Sequence, residues 1–257
     1  MRWPFDPTVY AGLAGAWVVY LVFVRRYGAR RRRQLFFGLG LATLWVALET
    51  PIDTISDDYL DSVHMLQHVL LGMVAPPLLL LGLTAPMAAA AARLPGLRAV
   101  TEPVPAQIVA GVVMIAWHFP VLYDATLRSE PLHVVEHLAF IGAGLVFWWP
   151  VVGITSQQAA WKMSPPVKLL YLLVGTIPQD AVALVLQFSG RPFYAFYVSA
   201  PRLIDTLDAL TDQTIAGVVL MLLGKTSFIA AALVVLYRWA AGEEAREREE
   251  ALRAAPR

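Results

Sequence analysis

The chain has 257 residues, of which 58% are hydrophobic and 15% are charged, and its mean hydropathy is +0.60. A soluble domain of this length usually carries about 25% charged residues, so the composition favours an integral membrane protein built from helices. The net charge of +1 gives no sign of nucleic-acid binding, and the absence of cysteine excludes disulfides, thiolate metal sites and cysteine nucleophiles.

Seven apolar stretches have lengths near the ~20 residues that a helix needs to cross a bilayer. In chain order they are Tyr10–Val24, Leu35–Leu48, Val63–Leu83, Pro105–Phe119, Leu132–Val151, Val167–Gln187 and Asp212–Tyr237. The sequence therefore predicts an all-α, polytopic membrane bundle over residues 1–240. Residues 241–257 are predicted to form a charged cytoplasmic tail, in which Glu243–Arg257 continues the last helix into solvent.

Basic residues predict the orientation of this bundle, because short cytoplasmic loops are enriched in Lys and Arg. The loop after the first span contains Arg25, Arg26 and Arg30–Arg33, and alternation puts Arg93, Arg98, Lys162, Lys168 and Arg238 on the same side. The segment before the third span instead contains Asp53, Asp57, Asp58 and Asp61 without a basic residue. We therefore expect the N-terminus outside and the C-terminus in the cytoplasm.

All five histidines are predicted to lie near the outer ends of three neighbouring spans. His64 and His68 begin the third span, His118 ends the fourth, and His133 and His137 begin the fifth. Residues four apart share one face of a helix, so each pair can direct two imidazoles to one point. The partial positive charge of a helix N-terminus disfavours imidazolium and favours the neutral form that binds metals. The pattern predicts a shared metal or haem site.

Several other side chains are candidate partners of these imidazoles. Glu136 is a candidate for orienting an imidazole or for offsetting the charge of a metal ion. Met65 and Met114 offer thioether sulfur, which favours copper(I), and Met114 shares the helix face of His118. Apolar packing is the ordinary role of such methionines, and helix capping is the ordinary alternative for the carboxylate.

Ionisable groups also occur in the sixth and seventh spans, where they are costly and often functional. Asp180 with Gln179, and Asp212 with Gln213, could extend the polar cluster around the histidines. A helix N-cap is the expected single role of Asp212. Lys225 lies near the middle of the last span and needs a carboxylate such as Asp180 or a route to the interface.

These residues also carry a family likeness. The chain resembles the CtaG-like cytochrome c oxidase assembly factors, which are polytopic proteins of bacterial membranes. The likeness extends from about Val63 to Arg238 and rests on His64-Met65-x-x-His68, Trp117-His118-x-Pro120 with Tyr123, Leu132-His133-x-x-Glu136-His137, Phe147-Trp148-Trp149-Pro150 and Asp212-Gln213-x-x-Ala216-Gly217.

The resemblance implies a seven-helix, non-enzymatic protein of the bacterial cytoplasmic membrane that is needed to make active haem–copper oxidase. It further implies that copper is bound and delivered to an oxidase subunit at the outer face. The expected partners are thus this subunit and membrane lipid, with no nucleic acid, and the oligomeric state stays open.

Three alternatives remain at this stage. Bis-histidine haem could join the third and fifth spans of an electron carrier or enzyme, although the inner leaflet lacks the histidines that a second haem would need. A small-molecule transporter could use Asp180 and Lys225 as a coupled pair. A metal-dependent membrane hydrolase is also conceivable, although the chain has no HExxH motif.

Overall fold

A computed structural model describes residues 3–159 and 161–254 of the chain. Helices make up 79% of the structure, and the described residues contain no strand, which confirms the predicted all-α class. The described helices are α1 (Pro7–Tyr27), α2 (Arg31–Leu48), α3 (Pro51–Asp58), α4 (Asp61–Val69), α5 (Ala75–Gly82), α6 (Ala85–Ala91), α7 (Leu97–Val100), α8 (Pro103–Trp117), α9 (Pro120–Thr126), α10 (Glu130–Trp148), α11 (Pro165–Gly175), α12 (Ile177–Phe188), α13 (Ala195–Ser199) and α14 (Ala209–Ala254).

Within the described residues, five helical segments are long and apolar enough to cross a membrane. They are Pro7–Tyr27, Asp61–Gly82, Glu130–Trp148, Pro165–Phe188 and Ala209–Arg253. Two further pairs qualify only when joined across a bend: α2 with α3 at 43°, and α8 with α9 at 76°. The described residues therefore contain five to seven candidate spans, and the seven predicted spans correspond to the upper limit.

Proline and short polar side chains set where several helices begin. Proline stands in the first turn of α1, α3, α8 and α10, where its missing N–H is not needed. Asp6 and Thr50 cap α1 and α3 by accepting hydrogen bonds from Thr8 N and Ile52 N. Thr50 lies where the chain bends by 43° between α2 and α3, so its cap helps to set the angle at which α3 leaves α2.

One continuous span connects the two ends of the bundle. It begins with α4, passes through a π-helical turn at Leu70–Val74 and ends with α5 at Gly82. Its 22 residues rise by about 33 Å, which is enough to cross the bilayer. The histidines of α4 therefore lie at the opposite end from the loop that follows α5.

Basic residues gather at that second end. Arg30, Arg32, Arg33 and Arg238 line one surface cavity together with Thr84, which follows α5. Beneath it, Trp148 and the aromatic rings around it fill the interior between α10, α11 and α14. The described structure thus has a basic end with an aromatic interior and, at the other end, the histidines.

Close backbone contact brings the third and fifth predicted spans together. A Cβ atom at Gly144 of α10 would lie 2.4 Å from the carbonyl oxygen of Gly72 and 2.6 Å from Pro76 Cγ. Only hydrogen fits at this position, which allows α10 to pack against the π-helical turn. The crossing places the histidine pair of α4 opposite the pair of α10.

The last helix is longer than a membrane span. α14 has 46 residues, and its polar second half contains intrahelical Arg–Glu pairs such as Arg248 with Glu244. This confirms that the charged segment continues the helix as far as Ala254, while residues 255–257 lie outside the described residues. Most of the small-residue run 88–92 lies in the short helix α6.

Candidate metal centre

All five imidazoles meet in one buried cluster between α4, α8 and α10. The ring centroids of His64 and His68 are 4.4 Å apart, those of His64 and His133 are 5.5 Å apart, and those of His133 and His137 are 4.1 Å apart. His118 joins through His68, with ring centroids 5.3 Å apart. The five side chains are therefore one cluster, as the predicted topology requires.

The centre of this cluster is an inner triad formed by His64, His68 and Glu136. The Nε2 atoms of the two histidines face each other at 2.8 Å. The two carboxylate oxygens lie 3.5 Å from His68 Nε2 and 4.0 Å from His64 Nε2. All three side chains are fully buried, and neither carboxylate oxygen has a hydrogen-bond partner.

A tyrosine from α13 orients His64. The Tyr197 hydroxyl donates to the carbonyl of Ser56, so its oxygen is free to accept from His64 Nδ1 at 3.0 Å. The proton of His64 therefore lies on Nδ1, and Nε2 presents its lone pair to the inner triad. Burial raises the pKa of Tyr197 well above its ordinary value, which keeps this hydroxyl protonated as a donor.

His118 is oriented by the backbone, and its free nitrogen faces sulfur. Its Nδ1 donates to the carbonyl of Met114 at 2.6 Å, which leaves the lone pair on Nε2. This Nε2 lies 3.3 Å from the sulfur of Met65. The methionine whose sulfur faces His118 is thus Met65. Met114 contributes its carbonyl, and its side chain packs in an apolar cluster with Leu71 and Phe140.

A second group of candidate ligands lies toward the surface. Asp57 of α3, His64 and His133 have ligand atoms within 4.8 Å of one another. Asp57 Oδ2 lies 3.4 Å from His133 Nδ1, and the aspartate side chain is 28% exposed. We call these three residues the outer triad. It shares His64 with the inner triad, and it is the part of the cluster that reaches solvent.

Asp212 does not cap its own helix, contrary to the expected role. Its carboxylate instead accepts from the backbone N–H groups of Asp61, at 2.7 Å, and Ser62, at 3.3 Å, at the start of α4. The cap of α14 is Asp208, which accepts from Thr211 N, and this hydrogen bond holds the pKa of Asp208 below its ordinary value. Asp212 therefore fixes the end of the helix that carries His64 and His68.

A tyrosine and an aspartate close the cluster on the side of α9. Tyr123 donates to Asp61 Oδ1 at 2.6 Å, and its ring lies 5.0 Å from that of His64. Tyr194 stacks on Tyr123 with ring centroids 3.8 Å apart. The ring of Tyr123 therefore lies against His64, and Tyr194, from the segment that precedes α13, stacks on Tyr123.

Asp180 does not join the histidine cluster. Its carboxylate forms an ion pair with Lys225 at 3.0 Å, with both side chains partly exposed. The neighbouring Gln179 donates to the carbonyl of Leu220 on α14, and Gln213 donates to the carbonyl of Leu186 on α12. These polar residues hold α12 against α14, and the expected partner of Lys225 is confirmed.

Two functional positions were missed by the sequence analysis. Asp57 enters the sequence analysis only as one of the acidic residues before the third span, and Tyr197 is not among the candidate site residues there. Both lie on short helices, α3 and α13, whose packing against the bundle has no periodic signal in the sequence. The single available hint was the acidic run that immediately precedes the first histidine pair.

The residues of the cluster fit a bound metal ion. Imidazole nitrogen, carboxylate oxygen and thioether sulfur are its possible ligands, a set compatible with copper. The buried atoms without a hydrogen-bond partner include both oxygens of Glu136, the Nε2 atoms of His133 and His137, and His68 Nδ1. A buried polar group that stays unpaired costs about 1–3 kcal/mol, so a cation bound by these atoms would offset part of that cost.

One protein family covers most of the chain. No curated protein and no solved structure matches this chain. The family described as "Cytochrome c oxidase caa3 assembly factor" (Caa3_CtaG) matches residues 18–242, a range that contains all five histidines, Asp57 and Glu136. The chain therefore belongs to the cytochrome c oxidase caa3 assembly factor family.

Proposed function

We propose that the protein binds copper in its histidine cluster and delivers it to a subunit of cytochrome c oxidase, without catalysing a reaction itself. The observation that carries this proposal is the inner triad, in which the Nε2 atoms of two imidazoles and a carboxylate without a hydrogen-bond partner converge in a fully buried space. Membership of an oxidase assembly family gives such a site its natural recipient. We place the site at the outer face of the bacterial cytoplasmic membrane because the basic residues gather at the other end.

Each residue has a part in this proposal. His64 and His68 hold the ion through Nε2, and Glu136 offsets its charge. His118 Nε2 and Met65 Sδ form a softer pair that favours copper(I). Because the cluster lies near one end of the bundle, ligands of the oxidase subunit can reach it and take the ion by exchange.

Metal analysis of the purified full-length protein tests the proposal. We expect copper to co-purify or to bind on addition, and to be lost when both pairs, His64 with His68 and His133 with His137, are replaced by alanine. Because four buried substitutions can unfold the protein, Glu136→Gln is the matched conservative variant. Unchanged copper content in both variants would refute the proposed ligands.

Haem binding is less compatible with the packing of the cluster. The rings of His64 and His133 are 5.5 Å apart, and the ring of Tyr123 lies 5.0 Å from that of His64. A porphyrin between them would require α4 and α10 to separate. A Soret band in protein purified from its native membrane would nevertheless favour the haem alternative.

Transport remains an alternative because Asp180 and Lys225 form the ion pair that it needs. The two proposals differ in which residues they require. Neutralising Asp180 would abolish transport and leave copper binding intact, whereas Glu136→Gln would have the opposite effect. Copper loss after Asp180→Asn would show that the two sites are coupled.

A further inference from the structure

We propose that Asp57 and His133 form an outer station through which a copper ion passes on its way into and out of the inner triad. This inference rests on the proposed copper function and adds the route by which the ion reaches the buried ligands. Its basis is that one residue, His64, belongs to both triads.

The two triads differ sharply in exposure. The side chains of the inner triad are fully buried, whereas the Asp57 side chain is 28% exposed. Among the candidate ligands grouped in these triads, Asp57 is thus the one that a hydrated ion can meet first. An ion must exchange its water for protein ligands in stages, and a partly exposed carboxylate suits the first stage.

The ligand atoms of the outer triad are available. Asp57 Oδ1 accepts from the Ser56 hydroxyl at 2.8 Å, which fixes the carboxylate and directs Oδ2 toward His133. His133 Nε2 is buried without a hydrogen-bond partner. One nitrogen of this histidine therefore meets the carboxylate, while the other has no competing partner in the protein.

Sharing of His64 makes a stepwise transfer possible. Within each triad the ligand atoms lie within 4.8 Å of one another, so an ion can gain a ligand of the inner triad before it loses those of the outer triad. No intermediate then requires a bare ion in the low-dielectric interior, which would be very costly. The exposed carboxylate of Asp58 adds an attractive potential for cations at the rim.

The route predicts a specific kinetic signature for Asp57→Asn. Because entry and exit use the same station, the variant should take up and release Cu(I) more slowly, each by about tenfold. The affinity at equilibrium should change by less than the rates, since the inner triad is intact. Glu136→Gln should instead weaken the affinity, with release faster than in the unaltered protein.

The test uses full-length protein in detergent, Cu(I) and a chromophoric Cu(I) chelator. Uptake is followed after mixing with Cu(I), and release is followed after adding excess chelator. Asp58→Asn is the matched control, because it removes the same charge from an exposed side chain of the same helix. In Asp58→Asn we expect only the uptake rate to change, since rim charges act mainly on association.

The outcomes are separable. Slower uptake and release in Asp57→Asn, but not slower release in Asp58→Asn, would support the station. Unchanged rates in Asp57→Asn would overturn the outer station. A loss of affinity in Asp57→Asn as large as that in Glu136→Gln would also overturn it, and so would equal rates in the two aspartate variants. Failure of the unaltered protein to bind Cu(I) would instead refute the proposed function itself.

Discussion

At the basic end of the bundle, the rings of Trp148, Phe147 and Phe228 pack with centroids 5.3 to 5.4 Å apart. At the other end, the same helix α10 directs histidines and Glu136 into the interior. The aromatic end is packed by contacts between its own rings, and the one buried polar atom without a partner there is Trp148 Nε1 among the described residues of this ring cluster. The histidine end contains buried polar atoms whose partners the described protein does not supply, and the proposed copper ion would provide a partner for Glu136 among them.

The largest effect is expected at the aromatic end, from Trp148→Ala. Trp148 is fully buried, and its removal should lower the free energy of unfolding by about 3–5 kcal/mol through lost packing. Denaturation in detergent measures this, with Trp161→Ala, whose side chain is 51% exposed, as the control. The folded fraction should still bind copper. A loss of copper binding by this folded fraction would show that the two ends are not independent.

The next effect is the stabilisation of the histidine end by its ion. Copper at about 100 times its dissociation constant should raise the free energy of unfolding by about 2.7 kcal/mol. Glu136→Gln should reduce this gain, yet the copper-free variant should be no less stable than the unaltered protein, because the Glu136 carboxyl has no hydrogen-bond partner to lose. Thermal unfolding with and without copper measures both quantities.

Glu130→Gln is the control for this prediction, since it neutralises an exposed carboxylate at the start of the same helix. It should retain the copper-dependent gain. If the copper-free Glu136→Gln protein is instead strongly destabilised, the carboxylate has a structural partner, and the histidine end supports itself as the aromatic end does.

A smaller effect is expected where the two ends are joined, at the crossing of α10 with the π-helical turn. Gly144→Ala would place a methyl group 2.4 Å from the Gly72 carbonyl oxygen, and relieving this contact should cost about 1–3 kcal/mol. Copper affinity should fall as well, because α4 and α10 would move apart. Gly142→Ala is the control on the same helix, since its Cβ would have no neighbour within 4 Å.

The convergence of the imidazoles is the part of the site that hydropathy and topology can predict. Span order and the positive-inside rule bring His64, His118 and His133 to one end, because each span must cross the full bilayer. The choice between Met65 and Met114 could not be made in this way. Spacing predicts Met114 on the helix face of His118, but the Met114 carbonyl takes the hydrogen bond from His118 Nδ1, and the free Nε2 faces Met65.

The short helices are the part of the fold that periodicity cannot predict. α3 and α13 have 8 and 5 residues, too few for a helical pattern to indicate which face is buried. Their positions depend on tertiary contacts such as the hydrogen bond from Gln67 to Asp53 at 2.8 Å. For this reason Asp57 and Tyr197 became visible as neighbours of His64 only in the folded structure.

The smallest effect is expected from replacing Met65, and it tests whether this methionine is a metal ligand or only a packing residue. Met65→Leu preserves the volume of the side chain but removes the sulfur that faces His118 Nε2, so Cu(I) affinity should fall about tenfold, or about 1.4 kcal/mol. Zinc affinity should change less, because zinc depends less on thioether ligands. Met114→Leu is the matched control, since the side chain of Met114 packs in the apolar cluster with Leu71 and Phe140. Chelator competition with both metals measures the difference. Equal losses in the two variants would mean that packing, rather than sulfur ligation, sets the affinity, and the preference for copper(I) would then have to come from the imidazoles alone.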